Sequence, residues 1–388
     1  MIIRLTTTDR LRRPSFTLVE LLTVIAIIGI MTSMVLFVLA GAQRDAYVAR
    51  TRGTIQKLHE VIMQRWEEYR YRAPKIHVQQ DWLRPQLAMR GQVALGPREG
   101  ARLRMIVLRD LMRMEMPDRM SDIEYPPTIY KIAAFTFDNG ETPPNYANDL
   151  PYPPSLAELS MLPREVPGQY NNLRQRAGLG SLTSNPYKGP VASIVPTGYS
   201  GSINSAEWLY YIIAASNFQG GSALEYFRPS EVGDTDDDGH LEFLDAWGNP
   251  IWWIRWPSSF ESPYNIYGAP DAMDPLHTDW RWNISSVADK PWTLVPLVIS
   301  SGPDGIFDIK FEGSSSPIIY ATQTWRGFTD SPAHKAPPIP YFFPDPYVEA
   351  YDNNGNLVKQ GLGALLDQDG DGSTDGSADN IHNHNLTE

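Results

Sequence analysis

The sequence predicts an α+β protein in which one long N-terminal helix packs on a head with an antiparallel sheet, and a large loop-rich insertion lies between them. Three observations lead to this fold class. Residues 16–40 are almost entirely apolar, and residues 41–72 continue with apolar side chains at helical spacing. From residue 247 onward, short apolar runs alternate with turn sequences. The 33 prolines and 29 glycines place much of the remaining chain in loops.

The first helix begins with a segment that is long enough to cross a membrane. Residues 21–40 carry no charged side chain. At about 1.5 Å rise per residue, such a helix is roughly 30 Å long, which matches the hydrocarbon core of a bilayer. Glu20 stands at the start of this segment and interrupts its apolar pattern. Because a carboxylate at the edge of a membrane helix is costly without a partner, Glu20 is a candidate functional residue.

The flanking residues distinguish this segment from a secretory signal peptide. The apolar run is longer than the roughly 7–15 residues of a signal h-region, and no A-x-A-like cleavage site follows it. Residues 1–15 form a polar leader with arginine at positions 4, 10, 12 and 13. The alternative interpretation is a plain signal anchor in which Glu20 is coincidental.

The sequence FTLVELL at residues 16–22, behind a basic leader and followed by IAIIGI at residues 25–30, resembles the prepilin family of type IV pilins and type II secretion pseudopilins. The resemblance implies that a prepilin peptidase cuts between Ser15 and Phe16 and methylates the new amine of Phe16. It also implies that Glu20 pairs with the N-terminal amine of a neighbouring subunit, since the two buried charges relieve each other's desolvation. The family residue before the cut is nearly always Gly, so Ser15 departs from the pattern.

The same resemblance implies partners and a location. The expected function is a structural, non-catalytic subunit of a pilus or a type II secretion-like pseudopilus. Its partners would be the prepilin peptidase, other pilin or pseudopilin subunits and the inner-membrane assembly machinery. The chain would span the inner membrane once, with its head in the periplasm or outside the cell, and would enter a filament after assembly.

Residues 41–72 continue the first helix, with Ile55, Leu58, Ile62, Trp66 and Tyr69 on one apolar stripe that faces the head.

The predicted organisation has five parts. The parts are a cytoplasmic leader (1–15), a transmembrane assembly helix (16–40), its amphipathic continuation (41–72), an inserted helical and Pro-rich region (73–230) and a β-rich head with acidic calcium-type loops (231–388).

Two further helices are predicted. Residues 101–116 have an apolar face, and Arg109, Asp110 and Arg113 lie off it, so we expect a solvated polar face, with contact to anionic lipid as the alternative. Residues 205–218 read as a buried helix capped by Ser205.

Short strands are expected at residues 251–256, 294–300 and 317–322, and a hairpin turn at residues 352–356. The segments DAWGNP at 245–250 and SSGPDG at 300–305 resemble turns in the head of major pseudopilins.

Composition limits the function classes. The formal net charge of −12 argues against nucleic-acid binding, which needs a basic face. The chain has no cysteine, which excludes thiol catalysis and requires an exported head to be stabilised by its core, by metal or by assembly.

An acidic segment at residues 234–245 has the spacing of an EF-hand calcium loop. Carboxylates stand at loop positions 1, 3 and 5, Gly239 stands at position 6, and an acid stands at position 12. Alternating carboxylates around a glycine turn can wrap a Ca²⁺ ion, which takes six to eight oxygen ligands. The alternative is a solvated acidic turn. The candidate ligands are Asp234, Asp236, Asp238, His240, Glu242 and Asp245.

A second acidic segment near the C-terminus has similar spacing, with Asp367, Asp369, Asp371 and Asp375 at positions 1, 3, 5 and 9. The alternative is a disordered acidic tail. In pseudopilins calcium orders loops near the end of the head, so the resemblance adds Asp304 and Asp308 as candidates.

Two alternatives to the filament subunit stay open. The first is a static membrane-anchored, calcium-dependent binding module on the cell surface or in the periplasm, in which the region 73–230 recognises a ligand. The second is an anchored hydrolase. Glu242 and Asp245 are close enough in sequence to suggest a glycosidase pair, but no pattern places a sugar cleft around them.

Overall fold

The computed structural model describes residues 17–74, 97–124, 168–178, 203–277, 293–311, 346–347, 361–367, 370 and 372–386. The chain forms two compact units, residues 1–49 and residues 50–388. The α-helices are α1 (Leu18–Tyr71), α2 (Pro97–Glu115), α3 (Met120–Glu124), α4 (Gly168–Arg176) and α5 (Ser205–Ala214). The strands are β1 (Asn217–Phe218), β2 (Gly221–Ser222), β3 (Val232–Gly233), β4 (Glu242–Phe243), β5 (Trp252–Ile254), β6 (Leu297–Ser300) and β7 (Ile381–His382).

A long N-terminal apolar helix followed by small antiparallel sheets and loops confirms the predicted α+β class. The expected strand at residues 317–322 and the expected turn at residues 352–356 lie outside the described residues. The other two expected strands form, but they are shorter than predicted, as β5 and β6.

Helix α1 changes its surroundings along its length. Within residues 18–39 the large apolar side chains are exposed. By length and composition this part of α1 could span a membrane, and none of the described residues buries it. In the second half a stripe of side chains is buried in the head. This stripe consists of Thr51, Thr54, Ile55, Leu58, Val61, Ile62, Trp66 and Tyr69.

The head is built on the three-stranded antiparallel sheet β5-β6-β7. Trp253 pairs with Val298, and Ile299 pairs with His382, so β6 is the central strand. The side chains of β6 are buried throughout, as expected for a central strand covered on both faces. Leu297 and Ile299 of β6 belong to a cluster of apolar side chains that also contains Ile254, Phe307, Ile309 and Leu362.

Helix α5 packs on β4 and β5 and is capped one residue earlier than expected. Asn204, not Ser205, is the N-cap, because its Oδ1 accepts hydrogen bonds from the backbone N–H groups of Ala206 and Glu207. The carboxylate of Glu207 accepts the backbone N–H of Asn204 in return, which completes a capping box. The hydroxyl of Ser205 instead bonds to the carbonyl of Trp253 and ties the helix to β5.

The two head segments that resemble pseudopilin turns are joined to each other. Asp245 closes the first turn by accepting the backbone N–H groups of Trp247 and Asn249 with Oδ1. Its Oδ2 accepts the hydroxyl of Ser300 at 2.8 Å, and Asn249 Nδ2 donates to the carbonyl of Gly302 at 3.1 Å. The turn before β5 is therefore fixed to the loop after β6.

The expectation of a solvated polar face on α2 is wrong. Arg109, Asp110 and Arg113 are at most 2% exposed. Arg113 pairs with Asp110 at 2.8 Å, and Arg109 pairs with Asp271 at 3.1 Å. Each of these charges is therefore buried with an opposite charge, from α2 itself for Arg113 and from a distant part of the chain for Arg109.

The same buried network connects the loop after α2 and helix α3 to the sheet. Arg255, which follows β5, binds Asp122 with both terminal nitrogens at 2.7 and 3.2 Å, and its backbone N–H donates to Asp118. All three residues are at most 6% exposed. A bidentate arginine–carboxylate pair of this kind fixes orientation as well as contact.

Candidate functional site

The N-terminal candidate, Glu20, lies in the first turn of α1 and closes a capping box with Thr17. Glu20 Oε2 accepts hydrogen bonds from the backbone N–H and the hydroxyl of Thr17, both at 2.9 Å. The backbone N–H of Glu20 donates to Thr17 Oγ1 at 3.2 Å. Among the described residues, the hydrogen bonds of this carboxylate use Oε2, so Oε1 is available to a cationic partner. Ser15 and Phe16 lie outside the described residues.

The second candidate is a cluster of carboxylates at the β3–β4 hairpin. Val232 pairs with Phe243, so the acidic segment 234–241 is the loop of this hairpin. Asp234 Oδ2 accepts the backbone N–H of Gly239 at 3.0 Å, which closes the loop, and Gly239 has a positive φ of 91° that glycine adopts without strain.

Five carboxylates converge on this loop in two overlapping groups. Oxygen atoms of Asp234, Asp236 and Asp238 lie within 4.8 Å of one another, and so do those of Glu207, Asp236 and Glu242. Two oxygens that each lie 2.3–2.6 Å from one Ca²⁺ are at most about 5 Å apart, so each group has the spacing of ligands on one ion. Asp236 belongs to both groups.

Burial raises the pKa values of two carboxylates in the cluster. Glu207 and Glu242 are fully buried, whereas Asp236 and Asp238 are exposed. Burial and the neighbouring carboxylates together raise the pKa of Glu207 to about 8, although the hydrogen bond from Asn204 opposes the rise. Burial also raises the pKa of Glu242, although Thr235 donates to its carboxylate from its backbone N–H. A bound cation would relieve this repulsion.

Two predicted ligands of the first loop make other contacts. His240 bonds through Nδ1 to the hydroxyl of Tyr211, and the two rings pack edge to face. Asp245 caps the turn before β5, as described above. Neither residue belongs to the two carboxylate groups found among the described residues.

The other predicted ligands that the structure describes make local contacts with backbone N–H groups. Asp367 accepts the backbone N–H groups of Gly370 and Gly372. Asp304 accepts the N–H of Ile306, and Asp308, which is 2% exposed, accepts the N–H of Gly376. Asp369, Asp371 and the side chain of Asp375 lie outside the described residues.

A family model of the prokaryotic N-terminal methylation motif matches residues 10–36. The chain carries the type IV pilin and pseudopilin signature. This motif implies processing of the pilin-like chain by a prepilin peptidase and assembly with other pilins. The match covers the end of the leader (residues 10–15), Glu20 and most of the apolar half of α1. Neither the curated proteins nor the solved structures contain a match to the chain.

Sequence reasoning missed one member of the carboxylate cluster in this pilin-like chain. Glu207 lies on α5, well before the acidic loop, and in sequence it reads as the ordinary third residue of a helix capping box. It joins the cluster because α5 packs on β4, which carries Glu242. Local sequence has no signal for that contact.

Proposed function

We propose that this chain is a structural, non-catalytic pilin-like subunit that is cut before Phe16 and assembled through α1 into a pilus or a type II secretion-like pseudopilus. The observation that carries the proposal is the combination of the methylation motif with the two halves of α1. Among the described residues, the large apolar side chains of the first half are exposed, and the apolar stripe of the second half is buried in the head. The head would lie in the periplasm or outside the cell.

The role of Glu20 follows from the environment that this proposal gives it. After cleavage, Phe16 would carry a positively charged amine next to Thr17, and a neighbouring subunit would present the same amine to the free oxygen of Glu20. In lipid, a carboxylate and an ammonium that pair each lose much of their desolvation cost. Glu20 would therefore set the axial register between neighbouring subunits.

The first test examines processing. Mass spectrometry of the chain purified from its native membranes should find N-methyl-Phe16 as the first residue. A Ser15→Gly variant should be cut at least as completely, and a bulky Ser15→Leu variant should accumulate as the precursor. An intact leader on the native protein would refute the filament proposal and favour the static membrane-anchored binding module.

The second test separates assembly from insertion. Glu20→Ala should insert into the membrane in normal amounts but should fail to enter sheared filament fractions. Glu67→Ala is a matched control, because Glu67 is an exposed carboxylate near the other end of α1. Normal filament formation by Glu20→Ala would contradict the assigned role of Glu20.

We also propose that the carboxylate cluster binds a calcium ion that orders the head. The spacing of the two oxygen groups, the shared Asp236 and the raised pKa of Glu207 support this proposal. The ligands would be the five carboxylates of the cluster, and the ion would connect α5 to the β3–β4 hairpin. Carboxylate oxygens are the ligands that hard cations such as Ca²⁺ take.

A thermal unfolding titration of the full chain in detergent tests the calcium site. At a hundredfold excess over Kd, binding stabilises the folded state by about 2.7 kcal/mol, so the unfolding temperature should rise. Glu207→Gln should reduce this rise, whereas Glu225→Gln, at an exposed position, should not. If millimolar Ca²⁺ leaves the unfolding temperature of the native sequence unchanged, the calcium proposal is wrong, and the filament proposal is unaffected.

A further inference from the structure

The C-terminal segment of the head is held by one asparagine. Asn383 is 3% exposed and follows β7. Its backbone N–H donates to the carbonyl of Val298 at 3.0 Å, and its Oδ1 accepts the N–H of Val298 at 2.8 Å. Its Nδ2 donates to the carbonyl of Pro296 at 2.9 Å. The side chain thus continues the pairing of β7 with β6 beyond the end of the strand.

These bonds fix which way the amide points, and that orientation determines the state of His59. Because Oδ1 accepts from Val298, the atom that faces His59 is Nδ2, a donor. Asn383 Nδ2 lies 3.0 Å from His59 Nδ1. This bond forms only when His59 Nδ1 carries no proton, since a protonated ring would place one donor against another.

Two more imidazoles lie on the same segment. His384 is 2% exposed, and its Nε2 lies 3.1 Å from the carbonyl of Pro296, so this nitrogen carries the hydrogen and donates it. Its Nδ1 lies 2.8 Å from the hydroxyl of Ser262. The rings of His382 and His384 both pack edge to face on Phe260.

The surroundings of the three rings favour their neutral forms. Burial lowers the pKa of His382 to about 4 and that of His384 to about 3. Burial also lowers the pKa of His59, and Glu60, its neighbour on α1, opposes this effect more weakly. Among the described residues, these rings also face the Ser262 hydroxyl and the ring of Tyr264 from the loop after β5, and they face one another.

We infer that residues 380–386 form an acid-released clamp, in which α1 holds the C-terminal strand through the neutral ring of His59. Histidine in an unfolded segment has a pKa near 6.5. Because the clamped state keeps its imidazoles neutral, the released segment binds more protons below that pH. The clamp is therefore fully stable above about pH 6.5, and its stability falls as the pH drops from there towards the lower pKa values of the clamped state.

Hydrogen exchange on the full chain in detergent tests the clamp. The protection factor of the Asn383 amide should fall at least about tenfold between pH 7 and pH 4.5, since each proton taken up on release contributes up to a factor of ten per pH unit. The amide of Ile212 in α5 serves as the reference for global unfolding, and it should stay better protected than the Asn383 amide at both pH values, because release of the clamp leaves α5 folded. Equal protection of the two amides at both pH values, or no loss at Asn383, would refute the clamp.

The variant His59→Gln isolates the ring that faces Asn383. Glutamine offers a neutral oxygen acceptor to Asn383 Nδ2 but cannot take up a proton in this range. The variant should lose less protection at pH 4.5 than the native sequence, whereas the exposed control His277→Gln should behave like the native sequence. An unchanged pH dependence in His59→Gln would exclude His59 as the sensor.

An NMR titration of the native chain gives a second measurement that needs no variant. The His59 ring resonance should titrate with a midpoint below 6.5, together with the loss of protection at Asn383. A midpoint at or above 6.5 would contradict the inference even if His59→Gln folds poorly.

Discussion

The two halves of α1 differ in composition and in surroundings: the first is almost entirely apolar, and the second carries an apolar stripe beside a polar face. In the first half, large apolar side chains are exposed by 43% at Val24 to 83% at Phe37, whereas in the second half Ile55, Leu58 and Ile62 are 0% exposed. The apolar stripe of the second half is buried inside the head. None of the described residues buries the large apolar side chains of the first half, which are the kind of surface that lipid or another protein covers. The two halves of one helix therefore require different surroundings.

The largest effect that tests this comparison uses the same substitution in each half. Leu58→Ala should destabilise the head by about 2–5 kcal/mol, because it removes a fully buried side chain and leaves a cavity. Leu22→Ala, at a position that is 62% exposed, should leave the unfolding of the head within about 0.5 kcal/mol of the native value. Chemical denaturation of the full chain in detergent measures both. Similar losses in the two variants would show that the halves are not distinct.

A smaller effect concerns the polar contacts of the second half. Glu231 is 5% exposed and accepts a hydrogen bond from the hydroxyl of Thr54. It also forms an ion pair with Lys57, with Nζ and Oε2 2.9 Å apart. Glu231→Gln should cost about 1–3 kcal/mol at pH 7, since the charge that pairs with Lys57 is removed. The same denaturation measurement applies, with the exposed Glu225→Gln as the control.

The pH dependence of that ion pair follows from the pKa of Glu231. Its contacts with Arg228, Lys57 and Thr54 lower this pKa below 4.5, although burial opposes them. The unfolded chain therefore takes up a proton more readily at low pH. The contribution of Glu231 is present above about pH 4.5 and is lost as the pH falls below it, so the difference between Glu231→Gln and the native sequence should shrink in acid. A difference that stays constant down to pH 3 would exclude the ion pair as its cause.

The smallest effect is expected on the exposed face of the same half. Arg70 and Glu67 form a salt bridge of 3.7 Å, and both side chains are at least 45% exposed. Solvent and salt screen such a pair, so Arg70→Ala should change the free energy of unfolding by less than about 0.5 kcal/mol. A loss of more than about 1 kcal/mol would show that this face is covered in the folded chain.

Elements governed by local sequence were predicted well. The apolar stripe of α1, the helix at Ser205 and the strands around Trp253 and Val298 all form, although α5 ends at Ala214 and not at residue 218, and both strands are shorter than predicted. The ends were less accurate: the N-cap of α5 is Asn204, because the hydroxyl of Ser205 bonds to Trp253. A cap depends on whether its side chain has a better partner elsewhere, and sequence does not contain that information.

The charged residues show where local reasoning ends. Arg113 and Asp110 were assigned to a solvated face because charge on one side of a helix usually faces water. The structure buries them in a network that includes Asp122 and Arg255. Arg255 lies far from the other three residues in the sequence. Glu207 reached the carboxylate cluster in the same way, through the packing of α5 on β4.

The sequence by itself determined the two-part character of α1, the position of Glu20, the methylation motif and the acidic loop at residues 234–245. These features depend on the order of residues within one or two helical turns or one loop. The tertiary structure decided which charges are buried, which carboxylates share a space and which imidazole faces Asn383. Those contacts join residues far apart in the chain, and their free energies depend on desolvation and distance, which only the folded arrangement sets.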